Sequence, residues 1–265
     1  MAILELEGLT KKFSELTAVD ALDLSVQEGE MFGLLGPNGA GKSTTIKMLT
    51  TLLPPSGGSP HVAGRDVRTE AGAVRRMIGY VPQMLSADGT LTGAENLMVF
   101  ARLYEIPRRE RRERVHAALE FMGLADSATR QVRQYSGGMI RRLEIAQSML
   151  HRPRLLFLDE PTVGLDPAAR RAVWQHIQEL RARFGTTIVL TTHQMEEADL
   201  LCGRVAILHK GRLVALGGPS ELKAAIGMPR ASLDDVFIHY TGANLDSGGT
   251  YRETRRTRRA VRRLG

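Results

Sequence analysis

Three groups of residues in this chain have the types and spacing that phosphate chemistry requires. The first is Gly36-Pro37-Asn38-Gly39-Ala40-Gly41-Lys42-Ser43-Thr44, which fits the pattern G-x-x-x-x-G-K-[ST]. Glycines in such a run let successive backbone N–H groups turn onto phosphate oxygens, and the helix that follows adds its positive N-terminal end. Lys42 is placed to reach the β- and γ-phosphates, and the Ser43 hydroxyl to ligate Mg²⁺. The second group is Leu155-Leu156-Phe157-Leu158-Asp159-Glu160, an apolar run that ends in two acids. A strand this apolar needs burial, so its carboxylates emerge at the sheet edge where α/β proteins bind ligands. Asp159 then suits the Mg²⁺ shell, and Glu160 suits a water attacking the γ-phosphate in line. The third is Ser136-Gly137-Gly138 at the head of a helical pattern. Free N–H groups, a hydroxyl and no obstructing side chain make an anion cradle. The same three residues are equally an ordinary cap or loop.

These groups must be held by particular elements. Residues 2–7 and Val19 to Val26 alternate apolar and polar, as half-buried strands do, and Met31 to Leu35 reads as a buried strand feeding the glycine-rich loop. A helix is expected from Thr44 to Leu53, stopped by Pro54-Pro55, followed by a turn-rich stretch through Pro60. Ile78 to Pro82 is a short strand. Helical patterns cover Thr92 to Leu103, Pro107 to Met122 and Tyr135 to Leu150, with Pro107 well placed at a helix start. Strands return at Leu155–Leu158, Thr186–Thr191 and Val205–Leu208. A helix from Pro167 to Phe184 separates the first two, and Lys210-Gly211 closes a hairpin with Leu213–Leu216. Strands alternating with helices predict a mainly parallel sheet covered on both faces.

Composition narrows the function. At 265 residues there is ample chain for a core, and the 43% hydrophobic content lies in short runs, far below the ~18 apolar residues of a membrane span. Met1-Ala2-Ile3-Leu4-Glu5 lacks the basic start and apolar stretch of a secretory signal, and the single Cys202 precludes an internal disulfide. A cytosolic chain is expected. The net charge of +7 is concentrated at one end: residues 251–265 hold seven arginines against Glu253 alone, leaving 29 basic and 28 acidic side chains elsewhere. A basic domain surface for nucleic acid is therefore not implied. The tail reads first as a solvated segment, then as a contact for anionic lipid, and last as a contact for nucleic acid, since no aromatic residue beyond Tyr251 interleaves the arginines.

Taken in order, Gly36–Thr44, Gln83, Tyr135-Ser136-Gly137-Gly138-Met139, Leu155–Glu160, Gly164-Leu165-Asp166 and His193 resemble the ATP-binding subunits of ABC transporters. They look like that family's phosphate loop, Q-loop, signature, metal-and-glutamate strand, D-loop and switch histidine, and the resemblance runs from about residue 3 to 242. It implies an α/β P-loop NTPase core with a mainly parallel sheet, an N-terminal antiparallel β subdomain and a helical subdomain inserted at about 91–150. The ATP-binding domain would span 1–225, and 226–265 would be a mobile extension ending in the Arg-rich tail. It further implies two subunits sandwiching two ATP molecules, with Ser136, Gly137 and Gly138 of one facing the γ-phosphate held by the loop of the other and Asp166 lining the same cleft. Phe13 would stack on adenine, Gln83 would touch Mg²⁺ while sensing a membrane partner, and His193 would contact the γ-phosphate. Two departures stand out: Met139 replaces the usual Gln of the signature, and Gly203 replaces a common Asp.

Ser232-Leu233-Asp234-Asp235-Val236-Phe237-Ile238-His239-Tyr240-Thr241-Gly242 is similar to the C-terminal segment of drug-export ATPases of the daunorubicin-resistance type, although a short amphipathic closing helix would also look like this. The resemblance implies an ATP-hydrolysing subunit at the cytoplasmic face of the membrane. It would form a homodimer and power export of a drug-like, antibiotic or lipid molecule through a separate polytopic permease. The alternative is a soluble ATPase of the same type acting on ribosomes or nucleic acid, which usually carries two cassettes or a long coiled-coil insertion.

Overall fold

The structure, a computed structural model, describes residues 1–228 and 230–242; the Arg-rich tail and its expected lipid contact lie outside the described residues. Strands β1 (Ala2–Phe13), β2 (Leu16–Gln27) and β3 (Met31–Leu35) open the chain. After helix α1 (Lys42–Leu49) come β4 (Gly57–Val62), the short β5 (Arg65–Asp66), α2 (Ala71–Met77) and β6 (Ile78–Val81). Three helices follow: α3 (Gly93–Leu103), α4 (Arg108–Phe121) and α5 (Gly137–Met149). Strand β7 (Leu155–Asp159), helix α6 (Pro167–Phe184), strand β8 (Thr187–Thr192) and helix α7 (Met195–Leu201) then alternate. The hairpin of β9 (Arg204–His209) and β10 (Arg212–Gly217) leads to α8 (Pro219–Ala225) and α9 (Leu233–Thr241).

The elements make two sheets. One has the order β2-β1-β4-β5 and is antiparallel; the other has the order β10-β9-β3-β8-β7-β6, parallel except for the β9–β10 hairpin. Every residue of β3, β7 and β8 is buried, as continuous apolar strands in a sheet covered on both faces must be. Successive side chains nevertheless go to opposite faces. Leu156, Leu158, Ile188 and Leu190 join a core with α3 to α7 and α9, while Leu155, Phe157 and Val189 join one with α1, α2 and the antiparallel sheet.

Local sequence chemistry sets the helix ends. Thr92 and Glu95 form a capping box at α3, Ser136 accepts from Met139 N at α5, and Asp166 with Pro167 starts α6, which Gly185 ends in the left-handed region (φ 63°). Elsewhere the structure departs from the expected bounds. Helix α1 starts at Lys42 and stops at Leu49, because Thr51 takes a positive φ of 63° and Leu52 N and Leu53 N both turn back to Lys47 O. Residues 57–60, expected as turns, lie in strand β4 (Gly57–Val62) because β1 pairs with it from Leu4 to Thr10. Helices α2, α7 and α8 were not expected. The extension expected to be mobile from 226 contains α9, whose Leu233, Val236 and Phe237 are buried in the main core.

Candidate active site

Four neighbouring parallel strands, β3, β8, β7 and β6, end together. Asp159 pairs with Thr191, Leu35 with Thr192 and Val81 with Leu158, so the loops after β3, β6, β7 and β8 open at one sheet edge. The loop after β3 is glycine-rich for a steric reason. Gly36 has φ 147°, and a Cβ there would stand 2.3 Å from Leu208 O; at Gly41 (φ 104°) it would stand 2.6 Å from Ala18 O. Backbone of β9 and β2 thus presses the loop into its curl. Asn38, Gly39 and Ala40 form the turn between, with Ala40 N donating to Pro37 O at 3.1 Å. Ser43 and Thr44 lie in the first turn of α1, whose Gly41 cap supplies no side-chain acceptor, so its first N–H groups are available to an anion.

Opposing charges meet in front of this loop. Lys42 Nζ donates to Gly36 O (2.8 Å) and Pro37 O (3.2 Å) and lies 3.3 Å from Glu160 Oε1. Burial pulls the Lys42 ammonium below the usual lysine range, and Glu160 and Asp159 oppose that shift. Ser43 Oγ donates to Asp159 Oδ1 at 3.0 Å, and Thr191 Oγ1 donates to the same oxygen at 2.5 Å. Glu160 Oε2 accepts from Gln83 Nε2 at 3.2 Å and stands 3.2 Å from His193 Nδ1. Its backbone N–H reaches Thr191 O (3.1 Å) and Thr191 Oγ1 (2.9 Å), holding Glu160 at a positive φ of 49°. Lys42, Gln83 and His193, far apart in sequence, converge on one buried carboxylate.

The remaining expected residues stand apart from this cluster. Ser136 and Gly137 are exposed at the head of α5; Gly138 is buried, where a Cβ would meet Ala169 Cβ at 2.8 Å. A Cβ on Gly137 would come 3.3 Å from Leu165, so the signature-like residues stand beside 164–166. Asp166 spends one carboxylate oxygen on Ala168 N and Ala169 N, both at 2.9 Å. Phe13, at the end of β1, is 44% exposed, with Lys11 Nζ 5.1 Å from its ring centroid. No hydrogen bond or ion pair among the described residues joins 136–138 or 164–166 to the glycine-rich loop.

Sequence reasoning missed several supporting residues. Thr191 bridges Asp159 and Glu160, and Glu197 on α7 accepts from Thr162 Oγ1 and Trp174 Nε1, both at 2.8 Å. Arg141 and Glu144 of α5 grip the loop that carries Gln83. The available signal was charge inside otherwise apolar helical stretches.

Known proteins bear on this geometry. A family model described as ABC transporter matches residues 19–163. The daunorubicin/doxorubicin resistance ATP-binding protein DrrA of Streptomyces peucetius is 48% identical over 224 residues, covering 84% of this chain and 68% of that protein. A Nod factor export ATP-binding protein I of Ralstonia nicotianae is 45% identical over 220 residues, covering 83% and 68%. Among solved structures, an ATP-binding subunit of an ABC transporter superposes with TM-score 0.80 at 31% identity over 90% of this chain and 99% of its own. A dimeric ATP-binding cassette in a post-hydrolysis state, bound to ADP and Pi, gives TM-score 0.73 at 28% identity over 81% and 98%.

Proposed function

The chain belongs to the ABC transporter family of ATP-binding, ATP-hydrolysing subunits, and from that premise we propose that it powers export of a drug-like, antibiotic or lipid molecule through a separate polytopic permease. The observation that carries the chemistry is the convergence of Lys42, Gln83 and His193 on Glu160 beside the Ser43–Asp159 pair. Backbone amides of 36–44 and the Lys42 ammonium hold the phosphates, and Glu160 accepts the proton of the attacking water. His193 and Gln83 orient that carboxylate. Ser43, Asp159 and Gln83 offer hydroxyl, carboxylate and amide oxygens, a donor set suited to Mg²⁺. When bound, the ion would neutralise charge on the β- and γ-phosphates.

The chain works as a homodimer in this reading. Its support is the exposed Ser136-Gly137 step, which has no bond to its own phosphate loop, together with the dimeric relative bound to ADP and Pi. Residues 1–225 are taken as the ATP-binding domain, with 91–150 inserted as its helical lobe and 226–265 as an extension. The export direction is supported by relatives named for drug resistance and Nod factor export. A location at the cytoplasmic face follows from the proposed permease; no helix among the described residues is long and apolar enough to cross a membrane.

A pull-down of the Glu160→Gln variant from native membranes with Mg-ATP tests this. A multi-span membrane protein in stoichiometric amount is the expected result. Ribosomes or nucleic acid without a membrane protein would overturn the export reading and leave the ATPase chemistry standing.

A further inference from the structure

Two charged side chains on α5 are as buried as the apolar core around them: Arg141 and Glu144 are each 2% exposed. They form an ion pair at 3.0 Å, from Arg141 Nη1 to Glu144 Oε2. Arg141 also donates from Nη1 to Pro82 O (2.7 Å) and from Nη2 to Gln83 O (2.8 Å). Glu144 Oε1 accepts from the backbone N–H of Ser86 and from Ser86 Oγ, the latter at 3.1 Å. Farther along the same loop, Asn96 of α3 accepts from Asp88 N (3.0 Å) and donates to Asp88 O (2.9 Å), and Gln147 of α5 donates to Asn96 at 3.4 Å. The segment that follows β6 is thus held from its side by α5 and α3.

Stability alone is a poor reason for this arrangement, since a well-packed apolar pair of similar volume does as well as a buried ion pair or better. What the ion pair supplies is geometry. A planar guanidinium can hold two successive carbonyls at once, which neither lysine nor an apolar side chain does. The residue so held is Gln83, whose Nε2 touches Glu160, and the helix that holds it begins at the exposed Ser136-Gly137 step. One rigid element therefore connects the surface proposed to meet a second subunit's nucleotide with a side chain on the catalytic carboxylate.

We infer that Arg141 and Glu144 are positioning residues that make the head of α5 and the Gln83 loop a single body, so that the seat of Ser136-Gly137-Gly138 on a partner's ATP and the hold of Gln83 on Glu160, which the single chain already makes, are fixed together. The inference rests on the ATPase reading above. Arg141→Lys keeps the charge and removes the two-carbonyl grip; Glu144→Gln keeps the shape and removes the ion pair.

The test is a kinetic cycle on the full chain with Arg141→Lys, Gln83→Ala and their combination, measuring Mg-ATP affinity and kcat. The expected result is an Arg141→Lys affinity within twofold of wild type, a kcat lowered at least tenfold, and less than a further twofold loss when Gln83→Ala is added. Losses that multiply, or a wild-type kcat in Arg141→Lys, would overturn the inference. Should Arg141→Lys not fold, Glu144→Gln taken through the same cycle decides by the same criteria. A wild-type chain with no Glu160-dependent hydrolysis would instead sink the ATPase reading itself, so the two failures are distinguishable.

Discussion

Lys42 Nζ stands 3.3 Å from Glu160 Oε1, and both side chains are only 4% exposed, so the proposed phosphate-holding cation and the proposed catalytic base neutralise one another in the folded chain. Removing one partner of such a pair leaves the other as a buried, uncompensated charge, at a cost of about 3 kcal/mol or more. Lys42→Met should lose roughly that much stability. Adding Glu160→Gln should restore most of it, because the stranded carboxylate is gone. Chemical unfolding of the two single variants and the double variant checks this; strictly additive effects would mean the charges are not coupled.

Glu160→Gln alone separates binding from turnover. The amide keeps the shape and can still accept from Gln83, but it cannot take a proton from water. Mg-ATP binding should persist while hydrolysis falls on the order of 10²–10⁴-fold, the usual worth of a positioned general base. Single-turnover hydrolysis at saturating ATP measures it, and a rate equal to wild type would remove Glu160 from the catalytic role.

Two glycines of the phosphate loop should respond differently to the same substitution. A Cβ at Gly36 would sit 2.3 Å from Leu208 O, which is backbone and cannot swing away, whereas a Cβ at Gly39 meets nothing within 4 Å. Gly39→Ala bears only the strain of its positive φ, about 1–2 kcal/mol. Gly36→Ala adds overpacking, for a total of about 4 kcal/mol. Thermal melts of both variants compare the two; equal losses would show that sterics against β9 are not what demands Gly36.

What the sequence made legible follows from how local each signal is. Gly36–Thr44 and Leu155–Glu160 are contiguous, and each carries its own element with it, so loop, strand end and roles could be read together. His193 and Gln83 needed the family resemblance, because nothing near them in the chain says that they meet at Glu160 Oε2. Gly57–Val62 was hidden for the opposite reason. Its glycines and Pro60 look like turn residues, yet Gly58 is glycine because Gly8 O would lie 2.4 Å from its Cβ across the sheet. Glu197, Arg141 and Glu144 carry charges whose ordinary place is the surface, so their residue types do not announce burial. Only tertiary structure shows Glu197 accepting from Thr162 and Trp174 inside the protein.

Helix α9 carries the next prediction. Its capping box at Ser232 and Asp235 starts a helix that places Phe237, 0% exposed, 5.9 Å from the His209 ring. Truncating a fully buried Phe typically costs 3–5 kcal/mol. Phe237→Ala should therefore lower unfolding stability by about 4 kcal/mol, with ATP turnover per folded molecule within twofold of wild type. A loss below about 1 kcal/mol in urea titration would mean that α9 is only lightly docked.

Phe13 offers a test of where the base of the nucleotide rests. An apolar ring 44% exposed at the end of β1, with the Lys11 ammonium 5.1 Å away, is poorly explained by core packing, since removing it uncovers little that was buried. Stacking of a nucleobase would account for the exposure, and such stacking is worth about 1–3 kcal/mol by alanine substitution. Phe13→Ala should weaken Mg-ATP binding on the order of tenfold, with fold stability changed by less than about 0.5 kcal/mol. Phe13→Trp should retain wild-type affinity, because a larger π-face stacks at least as well. Because the contact is to a π-face and not to base edges, Mg-GTP should lose as much as Mg-ATP on Phe13→Ala. Calorimetric titration of both nucleotides reads all of this, and unchanged affinity in Phe13→Ala would place the base elsewhere on the surface.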